Sequence, residues 1–169
     1  AVVYGSSNGG VQTAMFAVNH PEWARALVID GSSTHVNPIA AKNWRIRAEK
    51  TFASGKDMMD SSNLAGINPE AGRAVAPTPP ARPARRYDIR GRFAVLWELS
   101  ALLDYPFTPH LNKIKCPVLY LHGADDKIVG PGGSVGMHRA TPGSTLRLVP
   151  NVGHIVLSRA PEAGLSEIL

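Results

Sequence analysis

One stretch near the start of the 169-residue sequence constrains the fold more than any other. The apolar, β-prone residues 2–4 run into a Gly-x-Ser-x-Gly pattern at residues 5–9, and helical periodicity follows to residue 19. A strand, a sharp turn and a helix in that order predict that Ser7 lies on a tight turn between the two elements. We expect glycine at positions 5 and 9 because a Cβ on either side of the serine would crowd the neighbouring backbone.

The residues after this turn predict a parallel sheet. Residues 26–29 form a second apolar run, so strand, helix and strand follow each other as a βαβ unit. After residue 110 the alternation returns, with strands predicted at 118–121 and 145–149. Helices are predicted at about 132–140 and again from residue 155, where a last helix begins. The fold class predicted is α/β, with a mainly parallel sheet and flanking helices.

Residues 32–110 interrupt this alternation and carry two predicted helices, at 40–52 and 93–103. The second is apolar on much of its surface, which fits either a cap over an apolar pocket or an ordinary core helix. Residues 73–92 contain six Arg, four Pro and one acidic residue, a composition typical of an extended or mobile segment. We interpret that segment as a solvated loop and not as a nucleic-acid site, since Tyr87 is the single aromatic residue among its arginines.

Composition excludes several classes of protein. Hydrophobic residues make up 44% and charged residues 18% of the chain, as in globular proteins, and no apolar run could span a bilayer. The single cysteine, Cys116, excludes an intrachain disulfide and a cysteine-based zinc site. Because the sequence opens within a strand and without Met, we interpret it as a fragment whose upstream part is missing. The compartment stays open, with the cytoplasm as the expectation.

Three predicted loops, each after a strand, carry side chains suited to nucleophilic catalysis. They hold Ser7, the pair Asp125 and Asp126, and His154. Loops that follow parallel strands gather at one edge of the sheet, so we expect these side chains to lie close together. A serine hydroxyl needs a base, an imidazole suits that role, and a carboxylate orients the imidazole. The order Ser, Asp, His along the chain therefore predicts an acyl-transfer site made of a nucleophile, an acid and a base.

These motifs resemble the C-terminal portion of an α/β-hydrolase. Residues 5–10 are similar to the family's nucleophile elbow, residues 117–129 to its acid-bearing strand and loop, and residues 149–154 to its histidine loop. The resemblance implies that residues 1–31 and 111–169 form a partial α/β-hydrolase core. It also implies that residues 32–110 form the inserted cap, which contains the Pro/Arg-rich loop at 73–92.

The resemblance also implies a role for each site residue. Ser7 attacks an ester or similar acyl bond, His154 shuttles the proton, Asp126 orients His154, and the Asn8 amide stabilises the oxyanion. Asp126 is selected because it lies three residues after a glycine; Asp125, interpreted as a solvated turn residue, and Asp30, which also ends a strand, are the alternatives. The family's second oxyanion donor lies on an earlier loop that this sequence lacks. The remaining histidines are interpreted as structural or surface residues: His20, His35, His110, His122 and His138, of which His122 helps to pack the site.

The predicted function is hydrolysis of a small, partly apolar substrate through an acyl-enzyme, with no metal and no organic cofactor. One alternative is a cofactor-free perhydrolase, haloperoxidase-like or C–C bond hydrolase activity with the same triad. Another is a small-ligand receptor that kept the triad, or an inert truncated chain. A haloalkane dehalogenase is disfavoured because it would need Asp at position 7. We expect no nucleic-acid partner, and the oligomeric state stays open.

Overall fold

The computed structural model describes residues 1–36, 38–56, 86–105 and 107–168. Most of the predicted Pro/Arg-rich segment lies outside the described residues. The chain divides into two compact units, residues 1–36 with 106–169 and residues 37–105. Among the described residues, no helix is both long and apolar enough to cross a membrane.

The described residues form helices and strands in the following order along the chain. They are β1 (Val2–Ser6), α1 (Asn8–Asn19), β2 (Ala26–Asp30), α2 (Pro38–Ser54), α3 (Ile89–Asp104), a 3-10 helix (Thr108–Lys113), β3 (Val118–Gly123), α4 (Gly132–Ala140), β4 (Thr145–Val149), α5 (Val156–Arg159) and α6 (Pro161–Ser166).

The sheet of the first unit has four strands in the order β1-β2-β3-β4, and every neighbouring pair is parallel. The four predicted strands and their direction are thus confirmed. The register pairs Ser6 with Asp30 and Gly123 with Val149, so the strands end at a common edge. The loops that follow the strands therefore emerge side by side, which places the candidate residues at one edge of the sheet.

Helices pack on this sheet through small and apolar residues. α1 packs on β1 and β2 and buries Val11, Ala14 and Ala17, whereas α4 packs on β3 and β4 and buries Met137. The 3-10 helix, which the sequence analysis missed, contacts both α1 and α4 and buries Leu111 completely. The core thus lies between the sheet and these helices.

The single last helix predicted from residue 155 is wrong, because the structure has two short helices there, α5 and α6. Ala160 separates them with φ −141° and ψ 65°. Proline at position 161 disfavours the helical conformation in the residue before it, so the break at Ala160 follows from local sterics.

The second unit consists of α2 and α3 in the part of the chain that the structure describes. Phe52 and Phe93 pack edge to face between them, with ring centroids 5.1 Å apart. α3 starts at Ile89, since the Asp88 carboxylate accepts a hydrogen bond from the Gly91 amide at 2.8 Å. The prediction of an extended segment is therefore wrong for residues 89–92, which are helical.

α3 is exposed over much of its surface. Leu99 is the buried residue on α3, whereas the Trp97 side chain is 82% exposed. The assignment of this unit as a cap stays a prediction.

Candidate active site

Ser7 lies on the predicted tight turn between β1 and α1. Its φ of 53° and ψ of −125° are a backbone conformation that residues other than glycine rarely adopt. The Ser7 amide donates to the Asp30 carbonyl at 2.9 Å, and the Ser7 carbonyl accepts from the Gly10 amide at 3.0 Å. A Cβ at Gly5 would lie 2.3 Å from the Gly9 carbonyl oxygen, so glycine is required there. Strained backbone of this kind is common at functional sites.

The second sterically required glycine of the turn is Gly10, not Gly9. A Cβ at Gly9 would meet no atom within 4 Å, so the expectation of crowding at that position is wrong. A Cβ at Gly10 would lie 2.6 Å from the Ser32 Cβ and 2.8 Å from the Ile29 Cγ2. Gly10 faces the sheet, and its missing side chain allows α1 to run close over the end of β2.

Asp126 carries a buried carboxylate that accepts four hydrogen bonds. Its Oδ1 accepts from the amides of Ile128 at 2.7 Å and Val129 at 3.2 Å. Its Oδ2 accepts from His154 Nδ1 at 2.7 Å and from His122 Nε2 at 3.0 Å. Burial raises the pKa of Asp126, but the hydrogen bonds from the two histidines and the Ile128 amide outweigh it and hold the pKa well below its usual value. Asp126 is therefore an anion at neutral pH.

The acid loop and the histidine loop are joined through their backbones. A Cβ at Gly123 would lie 2.2 Å from the Gly153 carbonyl oxygen, so only glycine allows the two loops to approach this closely. The Asp125 amide donates to the Val152 carbonyl at 2.9 Å. The Asp125 side chain is exposed, whereas the Asp126 side chain points inward to His154. Of the two neighbouring acids, the structure brings Asp126 to the histidine.

The other alternative acid, Asp30, holds the backbone after the histidine. Its buried carboxylate accepts from the Val156 amide at 2.9 Å and the Leu157 amide at 3.0 Å. The Tyr4 hydroxyl donates to the same carboxylate at 3.3 Å. Asp30 thus caps the first turn of α5, where unpaired amides favour a negative charge.

His154 is fixed through its ring and its backbone. The Arg159 guanidinium Nε donates to the His154 carbonyl at 2.8 Å. Ile155, the next residue, has φ 64°, a strained value for a β-branched side chain. Gly31, with φ 59°, lies against the imidazole, because a Cβ at that position would be 3.3 Å from His154 Nδ1. The imidazole therefore lies next to Gly31. The residue before it, Asp30, has the carbonyl that accepts the hydrogen bond from the Ser7 amide.

His122 has a closer relation to the site than its predicted packing role. It is the penultimate residue of β3, is fully buried, and has its Nδ1 2.6 Å from the Ser134 hydroxyl. The available sequence signal was a histidine at an inward position of β3, four residues before the acid.

Across the residues that the structure describes, the His, Cys, Asp and Glu side chains form no group of three that could hold a metal ion.

Comparison with known proteins gives the same fold. A family model described as alpha/beta hydrolase fold matches residues 1–161. The Escherichia coli protein named "Putative carbamate hydrolase RutD" is 24% identical over 162 residues, 95% of this chain and 61% of that protein. A hydrolase from Pseudomonas aeruginosa PA01 superimposes with a TM-score of 0.72 at 20% identity, covering 100% of this chain and 63% of that one. A thermophilic esterase from Thermogutta terrifontis gives 0.62 at 23% identity, covering 99% and 62%. The chain thus spans about three fifths of the length of the curated relatives it matches.

Proposed function

Because this chain belongs to the α/β-hydrolase fold family, we propose that it hydrolyses an ester or related acyl bond through a serine nucleophile. The main support is the hydrogen bond of 2.7 Å between His154 Nδ1 and the buried Asp126 carboxylate. It lies at the sheet edge where Ser7 occupies a strained turn. A nucleophile on a strained turn and an imidazole oriented by a carboxylate are two of the requirements for activating a serine.

The hydrogen bond to Asp126 assigns a tautomer to His154. An ionised carboxylate only accepts hydrogen bonds, so the proton of the neutral imidazole is on Nδ1 and Nε2 keeps its lone pair. In the proposed reaction Nε2 takes the proton from the Ser7 hydroxyl as its oxygen attacks the carbonyl carbon. The imidazolium that forms is stabilised by the Asp126 anion.

The remaining steps follow the acyl-enzyme route. The oxyanion of the tetrahedral intermediate accepts a hydrogen bond from the Asn8 amide. This amide lies next to Ser7 at the positive end of the α1 dipole. The imidazolium of His154 then protonates the leaving group, and the acyl group stays on Ser7. Water attacks this acyl-enzyme with His154 again as the base, which releases the acid and restores the serine.

The proposed substrate class is a small, partly apolar ester or carbamate. By its name, RutD acts on a carbamate, and a carbamate presents the same electrophilic carbonyl carbon as an ester.

Turnover of small activated esters tests this function. The chain is incubated with p-nitrophenyl acetate and a p-nitrophenyl carbamate, and released nitrophenolate is measured for the unmodified protein and for His154→Ala. The exposed His20 gives a matched control variant, His20→Ala. We expect turnover that is lost in His154→Ala, by about a thousandfold or more, and kept in His20→Ala. Equal rates in the two variants, or no turnover by the folded chain, would contradict the proposal.

A further inference from the structure

The Asp126 carboxylate divides its contacts unequally between its two oxygens. Oδ1 is held by two backbone amides of its own loop, whereas Oδ2 is shared by two imidazoles. One of the imidazoles belongs to His154, which the proposed reaction uses. The other belongs to His122, a fully buried side chain to which that reaction gives no task.

The hydrogen bonds around His122 assign its proton. Because Asp126 is an anion that only accepts, His122 Nε2 carries a proton and donates it to Oδ2 at 3.0 Å. Nδ1 of the same ring forms a hydrogen bond of 2.6 Å with the Ser134 hydroxyl. Ser134 is itself fully buried on α4, and its hydroxyl donates to the Ser32 carbonyl at 3.2 Å. His122 is thus fixed from both sides by buried groups on separate elements.

We propose that His122 is a positioning residue for the reaction: its Nε2–H holds Oδ2 of Asp126 where that oxygen receives His154 Nδ1–H. The inference rests on the proposed function. Without His122, Oδ2 would keep only its hydrogen bond from His154. The carboxylate could then rotate about the contacts that hold Oδ1. His154 would then lose the fixed orientation that proton transfer needs. The titratable groups that face the carboxylate in the described residues are these two histidines.

The first test needs no variant. Long-range proton–nitrogen correlation NMR of the nitrogen-15-labelled chain at neutral pH identifies which ring nitrogens carry protons. We expect a protonated Nε2 for His122 and a protonated Nδ1 for His154. A His122 ring without a proton on Nε2 cannot donate to Asp126 and would overturn the inference, whether or not the chain hydrolyses esters.

The second test separates donation from volume. Gln at position 122 keeps an N–H donor near the place of Nε2, whereas Phe keeps the ring volume without a donor. We expect His122→Phe to lower kcat for p-nitrophenyl acetate roughly 10- to 100-fold with little change in KM, and His122→Gln to recover most of that loss. The His154 Nδ1–H resonance should weaken in His122→Phe and return in His122→Gln. Thermal unfolding of both variants establishes that each is folded.

The outcomes are distinguishable from those of the proposed function. If the unmodified chain shows no turnover, the proposed function fails. If it turns over and His122→Phe does so equally fast, only the role of His122 fails. A Phe variant more active than the Gln variant would show that the position supplies volume and not a hydrogen bond, which overturns the inference. Should the Phe variant not fold, the tautomer measurement on the unmodified chain still decides.

Discussion

Replacement of Asp30 by Asn removes a charge from beneath the histidine loop while keeping the shape of the side chain. The carboxylate of Asp30 accepts from two amides of α5, at 2.9 and 3.0 Å, one on each oxygen. An Asn side chain has one acceptor oxygen and one NH2 group, so one of these amides would face a donor instead. A buried N–H without an acceptor costs about 1–3 kcal/mol, and the surviving bond loses its charge assistance, worth about 1 kcal/mol.

The expected loss in the free energy of unfolding for Asp30→Asn is therefore about 2–4 kcal/mol. For a chain of this size each kcal/mol lowers Tm by roughly 2–4 °C, so we expect a decrease of about 5–15 °C by calorimetry. Asp125→Asn is the matched control, because the Asp125 side chain is exposed, and its Tm should stay within about 2 °C of the unmodified chain. Equal Tm values for the two variants would refute the capping role of Asp30.

Two further predictions concern other residues of the site. Gly9→Ala places a methyl group in open space within a helix, so the free energy of unfolding in urea should stay the same or rise by up to about 1 kcal/mol. In Gly10→Ala the methyl group meets Ser32 and Ile29, so the free energy of unfolding should fall by about 1–3 kcal/mol. Similar values for both variants would contradict the steric assignment. The pKa of Asp126 is lower in the folded than in the unfolded chain, so its contribution to the free energy of unfolding is full above the ordinary Asp pKa of about 3.9 and is lost as pH falls below it. Stability measured between pH 5 and pH 3 should fall more steeply for the unmodified chain than for Asp126→Asn, and parallel curves would contradict the prediction.

Local sequence patterns predicted the strands well, because apolar runs bounded by glycine, proline or serine mark buried parallel strands. They also placed Ser7, Asp126 and His154 on loops at one sheet edge. This required only the rule that loops after parallel strands emerge together. That rule left Asp125 and Asp126 open, and the family resemblance selected Asp126, the acid that the structure joins to His154.

The support around that pair could not be predicted in the same way. Asp30 and Val156 are 126 positions apart, and no local pattern indicates that one caps the other. His122 contacts Asp126 because β3 ends in a turn that folds back, so its role depends on the geometry of that turn. Which of Gly9 and Gly10 is sterically required depends on which side of α1 faces the sheet. The spacing of the glycines in the sequence does not show that side.

The most direct test of the account is the identity of the residue that a fluorophosphonate probe modifies, established by peptide mapping of the intact chain. A serine activated by an imidazole reacts with such a probe, whereas an ordinary surface serine does not. We expect a single modification, on Ser7, that is lost in His154→Ala. Modification of another residue, or labelling of Ser7 that persists at the same rate without His154, would contradict it.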